Sequence, residues 1–317
     1  SNGILGGDAS ELNNIIKSPA TCGLGAGSYF PMSSSVPEQS GDQRADDAYS
    51  LCFDDNPSKT TIDIVGRPKI KLTLKSDNQC GHLCVRLCDV SPEGSSTRIT
   101  YGLLNLAHRE SHENPTPIPV DKEFSIELEL DQIAYRLLPE NKLRISLSNA
   151  YWPLVWPVAE QATLTLVKGE LLLPIRQKSD KPEYVFSDPE AASPWSRKII
   201  REPSYSNKII TDQMTNAVTI EIFDDYGIVE DNNHGLQIGT VVREAFSIHP
   251  NDPLCASGHI HWTQTLARNK WNIRTEAYTS LTSDKNNFYM TAKIKAFEEE
   301  KLIFEKEFKE TIKRSFH

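Results

Sequence analysis

Long apolar runs are missing from this chain of 317 residues. No stretch approaches the roughly 18 consecutive apolar residues that a membrane-spanning helix requires, so we predict no membrane partner. Blocks rich in Lys and Arg are missing too, and the formal net charge is −9, which argues against a nucleic-acid partner. The hydrophobic content of 38% is too high for a disordered chain, and the length allows two domains with separate cores.

Cysteine is scarce, with six residues in the whole chain. This low density excludes a disulfide scaffold and suits reduced thiols in a cytoplasmic protein. Cys80, Cys84 and Cys88 are spaced four apart, without the CxxC pair of many zinc sites. On a strand, Cys84 and Cys88 would lie two pleats apart, too far to share a metal ion comfortably. We therefore predict no metal site and no cofactor.

Motifs that would mark a catalytic centre are missing as well. A serine-hydrolase nucleophile needs G-x-S-x-G between a strand and a helix, and no such pentapeptide occurs in the sequence. The glycines of residues 23–27 lack the GxGxxG register, the preceding strand and the following helix of a phosphate-binding loop. We therefore predict no catalytic residue on this chain.

Alternation of apolar and polar residues with a period of two is the dominant pattern, and it is typical of half-buried strands. Such runs occur at residues 70–74, 123–130, 143–148, 162–166, 218–222, 271–279 and 288–296. Phe304, Phe308 and Ile312 also fit a helix, but the charged turn at 298–301 favours a strand that forms a hairpin with the preceding one.

The predicted fold is all-β, with a jelly-roll β-sandwich followed by a second antiparallel β domain. A stretch rich in Pro, Ser and charge, with little periodicity, lies between the two halves and marks a boundary. The predicted division is an irregular segment packing on the jelly roll (1–45), the jelly roll (46–172), a linker (173–208) and the C-terminal β domain (209–317).

Residues 85–114 contain two alternating runs, a tight turn and a dense group of polar residues at 105–113. One interpretation of this group is a catalytic or metal-binding cluster. His108 and His112 would lie one turn apart on a helix, but this stretch lacks the Glu of a zinc-protease helix, and Pro115 disfavours a helix. The alternative, which we favour, is a β-hairpin followed by a polar loop whose side chains form hydrogen bonds locally or across a domain interface.

The strongest aromatic feature is the segment Tyr151-Trp152-Pro153-Leu154-Val155-Trp156-Pro157. Paired Trp residues can form a sugar-stacking platform or a pocket wall. Two Trp-Pro steps after a strand can equally form a rigid, extended loop that closes a sandwich. The structural interpretation is the favoured one, and both remain open at this point.

Three segments together resemble a known family. They are GDQRADD at 41–47, VRLCDVSPEGSSTRITYGLLNLAHRESHENP at 85–115 and LRISLSNAYWPLVWP at 143–157. They resemble the C-terminal β region of the cocaine-esterase-like and X-prolyl dipeptidyl peptidase group of serine hydrolases. Segments at 249–262, 268–289 and 308–316 resemble the tail of its longer members, so the likeness covers nearly the whole chain.

The resemblance implies a jelly roll of galactose-binding-like topology that accompanies an α/β-hydrolase domain and a helical cap in the same protein. Those two domains, absent from this sequence, would be its partners and would carry the catalytic triad and cleave an ester, amide or X-Pro peptide bond. The residues that match the family motifs, with structural roles implied, are Asp42, Gln43, Arg44, Asp47, Asp89, Asn105, His108, Arg109, Trp152 and Trp156.

One substrate-facing role also follows from the resemblance. In the cocaine esterases an aromatic loop just before the Asp-Gln-Arg motif reaches the catalytic pocket, and the matching stretch here is residues 25–31. Tyr29 and Phe30 are therefore the candidates for pocket-facing residues, with Trp152 as a third. The alternative role for Tyr29 and Phe30 is to anchor the jelly roll on the absent domain.

Three functions from different classes remain. The first is the non-catalytic C-terminal portion of a serine hydrolase, inactive alone, and the start Ser1-Asn2-Gly3 without an initiator Met suggests a piece of a longer protein. The second is a stand-alone carbohydrate-binding module that uses its Trp residues. The third is an oligomerisation module, which would make the protein a homo-oligomer.

Overall fold

A computed structural model of the chain describes residues 3–6, 12–27, 40–177 and 185–316. The chain divides into two compact units. The first comprises Ser1–Gln177, Ile248–Leu254 and Arg314–His317, and the second comprises Lys178–Ser247 and Cys255–Lys313. Strands dominate both units, which confirms the all-β fold class. Within the described ranges, no helix has the length and apolarity needed to cross a membrane.

The first unit contains eleven strands among its described residues, one short helix, α1 (Arg44–Ala48), and one 3₁₀ turn (Leu106–His108). The strands are β1 (Gly3–Ile4), β2 (Asn14–Ile16), β3 (Leu51–Asp54), β4 (Ile62–Gly66), β5 (Lys69–Ser76), β6 (His82–Val90), β7 (Ser96–Asn105), β8 (Phe124–Glu129), β9 (Ile133–Leu137), β10 (Lys142–Ser148) and β11 (Leu164–Leu172).

These strands form two main sheets and one two-stranded ribbon. One sheet has the order β1-β3-β10-β6-β7, the other has the order β2-β11-β5-β8, and β4 pairs with β9. Every neighbouring pair is antiparallel except β1 with β3. The predicted hairpin in residues 85–114 is confirmed, because β6 and β7 pair directly across a turn in which Gly94 has a φ of 88°.

The core of the first unit lies between the two main sheets, because both contribute apolar side chains to one cluster. In β5, Ile70, Leu72 and Leu74 are buried, while Lys71 and Thr73 between them are not, as a half-buried strand requires. Strand β6 differs, because all nine of its residues are buried on both faces. A charged residue in β6 therefore has no route to solvent and must be paired inside the unit.

Eight strands in one antiparallel sheet make up the part of the second unit that the structure describes. They are β12 (Arg197–Arg201), β13 (Ser204–Thr211), β14 (Val218–Asp231), β15 (Gln237–His249), β16 (Asp252–Arg268), β17 (Trp271–Ser283), β18 (Asn287–Glu298) and β19 (Lys301–Lys313). The order is β12-β14-β15-β16-β17-β18-β19, and β13 also pairs with β14. The residues that fitted either a helix or a strand form strand β19, as the hairpin argument predicts.

Strands β12 and the first part of β13 fall inside the range predicted as a linker. Every residue of β12 is exposed, and so are most of those in β13. A strand that buries neither face has no reason to alternate apolar and polar residues, so its sequence shows no period. The jelly-roll topology and the predicted division into four parts stay predictions.

The thiols of the chain differ sharply in exposure, and this predicts their reactivity. None of the six cysteines forms a disulfide. Burial raises the pKa of Cys22 to about 11 and the pKa of Cys88 to about 12. Because the thiolate is the nucleophile, both should be inert at pH 8. Cys255 is exposed, and we expect it to react more than about tenfold faster than either of them.

Titration of the native chain with a thiol reagent at pH 8, followed by peptide mass spectrometry, checks this expectation. Cys255→Ser should remove the fast phase, and denaturation in urea should release all six thiols. Fast modification of Cys22 or Cys88 in the folded chain would contradict the packing described here. The cytoplasmic location inferred from the cysteines stays a prediction.

Candidate functional site

Helix α1 and the two residues before it carry four of the family-motif polar residues, Asp42, Gln43, Arg44 and Asp47. Asp42 accepts hydrogen bonds from the backbone N–H of Arg44 at 3.0 Å and from its Nε at 2.8 Å, which lowers the pKa of Asp42. This pair lies at the surface. Gln43 and Asp47, by contrast, are 0% and 7% exposed. The motif therefore divides into a solvated pair and a buried set, and only the buried set organises the site.

Arg86 lies at the centre of the buried set and is 0% exposed. Its Nη2 lies 2.9 Å from Oδ1 of Asp47 and donates to Oγ of Ser50 at 3.0 Å, while its Nη1 donates to Oε1 of Gln43 at 2.8 Å. Arg86 projects from β6, and its partners come from α1 and the residues that flank it. The guanidinium of Arg86 thus joins β6, an interior strand of its sheet, to the motif residues.

Arg144 of β10 extends the same network toward β3. Its guanidinium contacts both carboxylate oxygens of Asp54, at 2.6 and 2.9 Å, and Asp47 at 3.1 Å. Burial opposes ionisation of Asp54, but the hydrogen bonds from Arg144 outweigh it and lower the pKa of this carboxyl. Ser96 and Ser146 both donate their hydroxyl hydrogens to Asp47, at 2.7 and 2.8 Å. We call Arg86, Arg144, Asp47, Asp54 and Gln43 the arginine cluster.

Asp46 of α1 binds the backbone of the turn that contains Gly23 and Gly25. Its two carboxylate oxygens accept the backbone N–H groups of Gly23 and Gly25, each at 2.9 Å. A side chain at Gly25 would place its Cβ 2.9 Å from Asp46 Oδ2, so the small residue allows this approach. The helix therefore holds the turn through charge-assisted bonds to its backbone.

Gln43 holds the chain on both sides of residues 28–39. Its Nε2 donates to the carbonyl oxygens of Gly25 and Gly41, each at 2.8 Å. The backbone N–H of Gly41 also donates to the carbonyl of Gly25 at 3.2 Å. We call Gly25, Gly41 and Gln43 the stem, because they flank residues 28–39 in the sequence.

The aromatic segment at 151–157 packs inside the first unit. Tyr151 and Trp152 are each 1% exposed. The ring of Trp152 meets that of Trp156 edge to face at a centroid distance of 5.5 Å, and Arg98 donates to the Tyr151 hydroxyl at 2.6 Å. Neither buried ring offers an open face to a sugar, which favours the rigid-loop interpretation. The pocket-facing role of Trp152 stays a prediction.

The remaining motif residues lie apart from the arginine cluster. Asp89 accepts from the hydroxyl of Tyr135 at 2.8 Å. Asn105 caps the 3₁₀ turn by accepting from the N–H of Ala107 at 3.0 Å. Arg109 donates to the carbonyls of Leu106 and Thr116 at 3.1 and 3.0 Å, and the ring of His108 lies 5.5 Å from that of His112. The contacts of residues 105–112 describe a polar loop with local hydrogen bonds, and Nδ2 of Asn105 also donates to the carbonyl of Phe316 at 3.0 Å.

Tyr29 and Phe30 lie outside the described residues, so their pocket-facing role stays a prediction. The sequence interpretation missed Arg86, Arg144 and Asp46 as organising residues. A signal for Arg86 was present, because it is the one charged side chain within the apolar run Leu83–Leu87. Nothing in the local pattern distinguished Arg144 from the solvent-facing residues of an alternating strand.

The chemistry of the arginine cluster is that of a structural network. The hydroxyls of Ser96 and Ser146 donate to a carboxylate, whereas a catalytic serine hydroxyl donates to a general base such as His. The carboxylates of Asp47 and Asp54 accept from arginine. Within the described part of the chain, no group of three or more His, Cys, Asp or Glu could hold a metal ion.

The fold and its buried charges define the class of the first unit, which is a two-sheet β-sandwich held together by internal ion pairs. More specifically, the chain belongs to the X-Pro dipeptidyl-peptidase C-terminal non-catalytic domain family, whose family model matches residues 10–209. This confirms the resemblance seen in the sequence. No curated protein matches the chain.

Several solved structures are similar to part of the chain. An α-amino acid ester hydrolase is 17% identical, with a TM-score of 0.46 over 54% of this chain and 33% of that one. An aminopeptidase from a marine sediment Thaumarchaeota archaeon is 14% identical, with a TM-score of 0.47 over 55% and 34%. A CocE/NonD family hydrolase from Staphylococcus aureus is 15% identical, with a TM-score of 0.36 over 43% and 32%. The chain spans about a third of the length of these structures.

Proposed function

We propose that this chain is the non-catalytic C-terminal portion of a serine hydrolase that cleaves ester, amide or X-Pro peptide bonds. Its partners are the α/β-hydrolase and cap domains of the same protein. The first unit packs against them and holds residues 28–39 as one wall of the substrate pocket. Family membership supports the non-catalytic assignment, and the buried arginine cluster supports a rigid, supporting role.

The stem is the observation that carries the pocket-wall proposal. Gln43 binds the carbonyls of Gly25 and Gly41 with one amide group, so both ends of the intervening segment are held at one point. Its other amide atom accepts from Arg86, whose guanidinium is in turn bound by Asp47. The stem is therefore fixed to the sheet through two buried side chains.

Such an arrangement suits a loop that contributes to another domain's pocket. Binding residues on loops work when a rigid scaffold sets their position, and small misplacements of a pocket wall reduce catalysis substantially. Tyr29 and Phe30 follow the stem residue Gly25 by only four and five positions.

The non-catalytic assignment is tested by assaying this chain and the natural protein that contains it. The substrates are an X-Pro p-nitroanilide and a p-nitrophenyl ester. We expect hydrolysis by the natural protein and none above the buffer rate by the chain. Turnover by the chain alone would overturn the proposal. So would a natural protein that encodes no G-x-S-x-G upstream of this region.

The pocket-wall role predicts a specific loss in the natural protein. Tyr29→Ala and Phe30→Ala should each lower kcat/KM by about tenfold, because remote binding contacts contribute to transition-state stabilisation. Gln43→Glu should do the same through the stem, since it keeps an acceptor for Arg86 but loses both amide donations. Tyr49→Ala is the control, because Tyr49 is 49% exposed and lies outside the stem.

Melting temperatures separate this loss from unfolding. The three variants should fold and lose kcat/KM, while Tyr49→Ala should retain it. Unchanged kcat/KM in both Tyr29→Ala and Phe30→Ala would reject the pocket wall and leave only the packing role.

A further inference from the structure

Strand β19 is the outermost strand of the second unit's sheet. It is thirteen residues long and pairs with β18 along one side. Among the described strands, none pairs with its other side. Every residue of β19 is exposed. A long, regular edge of this kind presents unpaired N–H and C=O groups, and natural proteins normally shield such an edge.

The two faces of β19 differ in chemistry. Phe304, Phe308 and Ile312 share one face and are 50%, 46% and 48% exposed. Glu307 and Lys309 lie on the opposite face. The pairing with β18 continues without a register shift from Ala296 to Asn287, so the strand is straight where Phe304 to Lys313 lie. This stretch can accept a further strand along its whole length.

We propose that β19 pairs antiparallel with β19 of a second copy of this chain, in the register that sets Phe308 opposite the partner's Phe308. A two-fold axis perpendicular to the sheet would relate the two copies. Two-fold symmetry is the commonest symmetry of homo-oligomers. The two eight-stranded sheets would then form one continuous sheet.

Pairing of opposite charges across the two strands favours this register. Centring on Phe308 sets Lys306 opposite the partner's Glu310 and Glu307 opposite the partner's Lys309. It also sets Phe304 opposite the partner's Ile312 on the apolar face. Each of these pairs occurs twice because of the two-fold axis. Opposite charges and apolar pairs directly across from each other are the contacts that stabilise antiparallel strands.

Neighbouring registers are unfavourable for the same reason. Centring on Glu307 would oppose two Glu side chains, and centring on Lys309 would oppose two Lys side chains. Centring on Lys306 would oppose both two Lys side chains and Glu305 with Glu307. Like charges directly opposite each other are destabilising. Lysines on an edge usually block pairing, but in the proposed register Lys306 and Lys309 each meet a carboxylate.

A charge-swap experiment on the full 317-residue chain tests the pairing. Sedimentation equilibrium should show a dimer, and Lys306→Glu or Glu310→Lys alone should raise its Kd at least about tenfold. The double variant Lys306→Glu/Glu310→Lys should restore the original Kd. These two positions suit the test because they face the uncharged Ile294 and Met290 of β18. Far-UV circular dichroism verifies that all variants fold.

Disulfide trapping tests the register itself. In a Cys255→Ser background, Phe308→Cys should cross-link two copies on mild oxidation, because directly opposed residues lie about 5 Å apart at Cα. Lys306→Cys is the matched control. Its counterpart would lie four residues along the strand, about 14 Å away, which is beyond disulfide reach.

Two results would overturn the proposal. One is a monomer at a chain concentration of several hundred micromolar, which would leave the edge to a strand from elsewhere in the natural protein. The other is cross-linking of Lys306→Cys as fast as Phe308→Cys. Neither result bears on the hydrolase assignment, which rests on the first unit.

Discussion

Replacing Arg86 with alanine is expected to lower the free energy of unfolding by about 3–5 kcal/mol. Arg86 is fully buried and binds Asp47, Gln43 and Ser50 at 2.8–3.0 Å. Removing the guanidinium would leave the carboxylate of Asp47, itself 7% exposed, with less compensation for its lost hydration. This effect is one of the two largest that the structure predicts.

The size of the expected loss in stability depends on the hydrogen bonds that Asp47 and Gln43 keep after Arg86 is removed. Arg144, Ser96 and Ser146 still bind Asp47 after the change, so the carboxylate keeps part of its shell. Gln43, however, loses the donor to its Oε1 and is free to turn away from the stem. We therefore expect Arg86→Lys to recover only part of the loss, because an ammonium cannot reproduce the forked geometry.

Urea unfolding followed by circular dichroism measures this loss, with Arg44→Ala as the matched control. Arg44 belongs to the same motif, but its side chain is 64% exposed and its partner Asp42 is 38% exposed. Exposed ion pairs contribute about 0–1 kcal/mol, so the control should lie within that range. Equal losses in the two variants would show that the arginine cluster does not stabilise the first unit.

Replacing Gly23 with alanine is expected to cost about 3–5 kcal/mol, from steric overlap together with backbone strain. Gly23 has a φ of 112°, and an added Cβ would lie 2.7 Å from the backbone N and O of Trp152 and from the backbone carbon of Tyr151. Backbone atoms cannot turn aside as a side chain can. The hydrogen bond from the N–H of Trp152 to the carbonyl of Cys22, at 2.7 Å, would also lengthen.

Gly94→Ala separates steric overlap from backbone strain. Gly94 has a φ of 88°, and a Cβ there would meet nothing within 4 Å. It should therefore cost only the strain of a left-handed alanine, about 1–2 kcal/mol. Thermal unfolding of the two variants gives the comparison. If Gly23→Ala were no more destabilised than Gly94→Ala, the turn at Cys22–Gly25 would not pack on the aromatic segment as described.

Much of the fold was predictable because burial on one face leaves a period of two in the sequence. Ile70, Leu72 and Leu74 show this, and so does the hairpin of β6 and β7. A period of two is missing from strands in which both faces are equally buried or equally exposed. Strand β12 is exposed on both faces and shows no pattern. Strand β6 is buried on both faces, so alternation does not mark Arg86, whose one signal is its charge inside an apolar run.

The candidate site was predictable only in part. The resemblance singled out Gln43 and Asp47 because they belong to a motif, and both proved to be buried and central. It also singled out Asp42 and Arg44, which form a solvated pair at the surface. A motif records which residues recur, whereas the partner of each side chain depends on strands that are distant in sequence.

The sequence by itself determined the all-β class, the strand hairpins and the family, because alternation and short motifs are properties of adjacent residues. Only the tertiary structure decided what the charged residues do. Arg86, Asp47 and Arg144 meet because β3, β10 and β6 are neighbours in one sheet. In these low-polarity surroundings each buried charge must be paired with an opposite charge. The paired motif residues therefore form the rigid network that holds the stem.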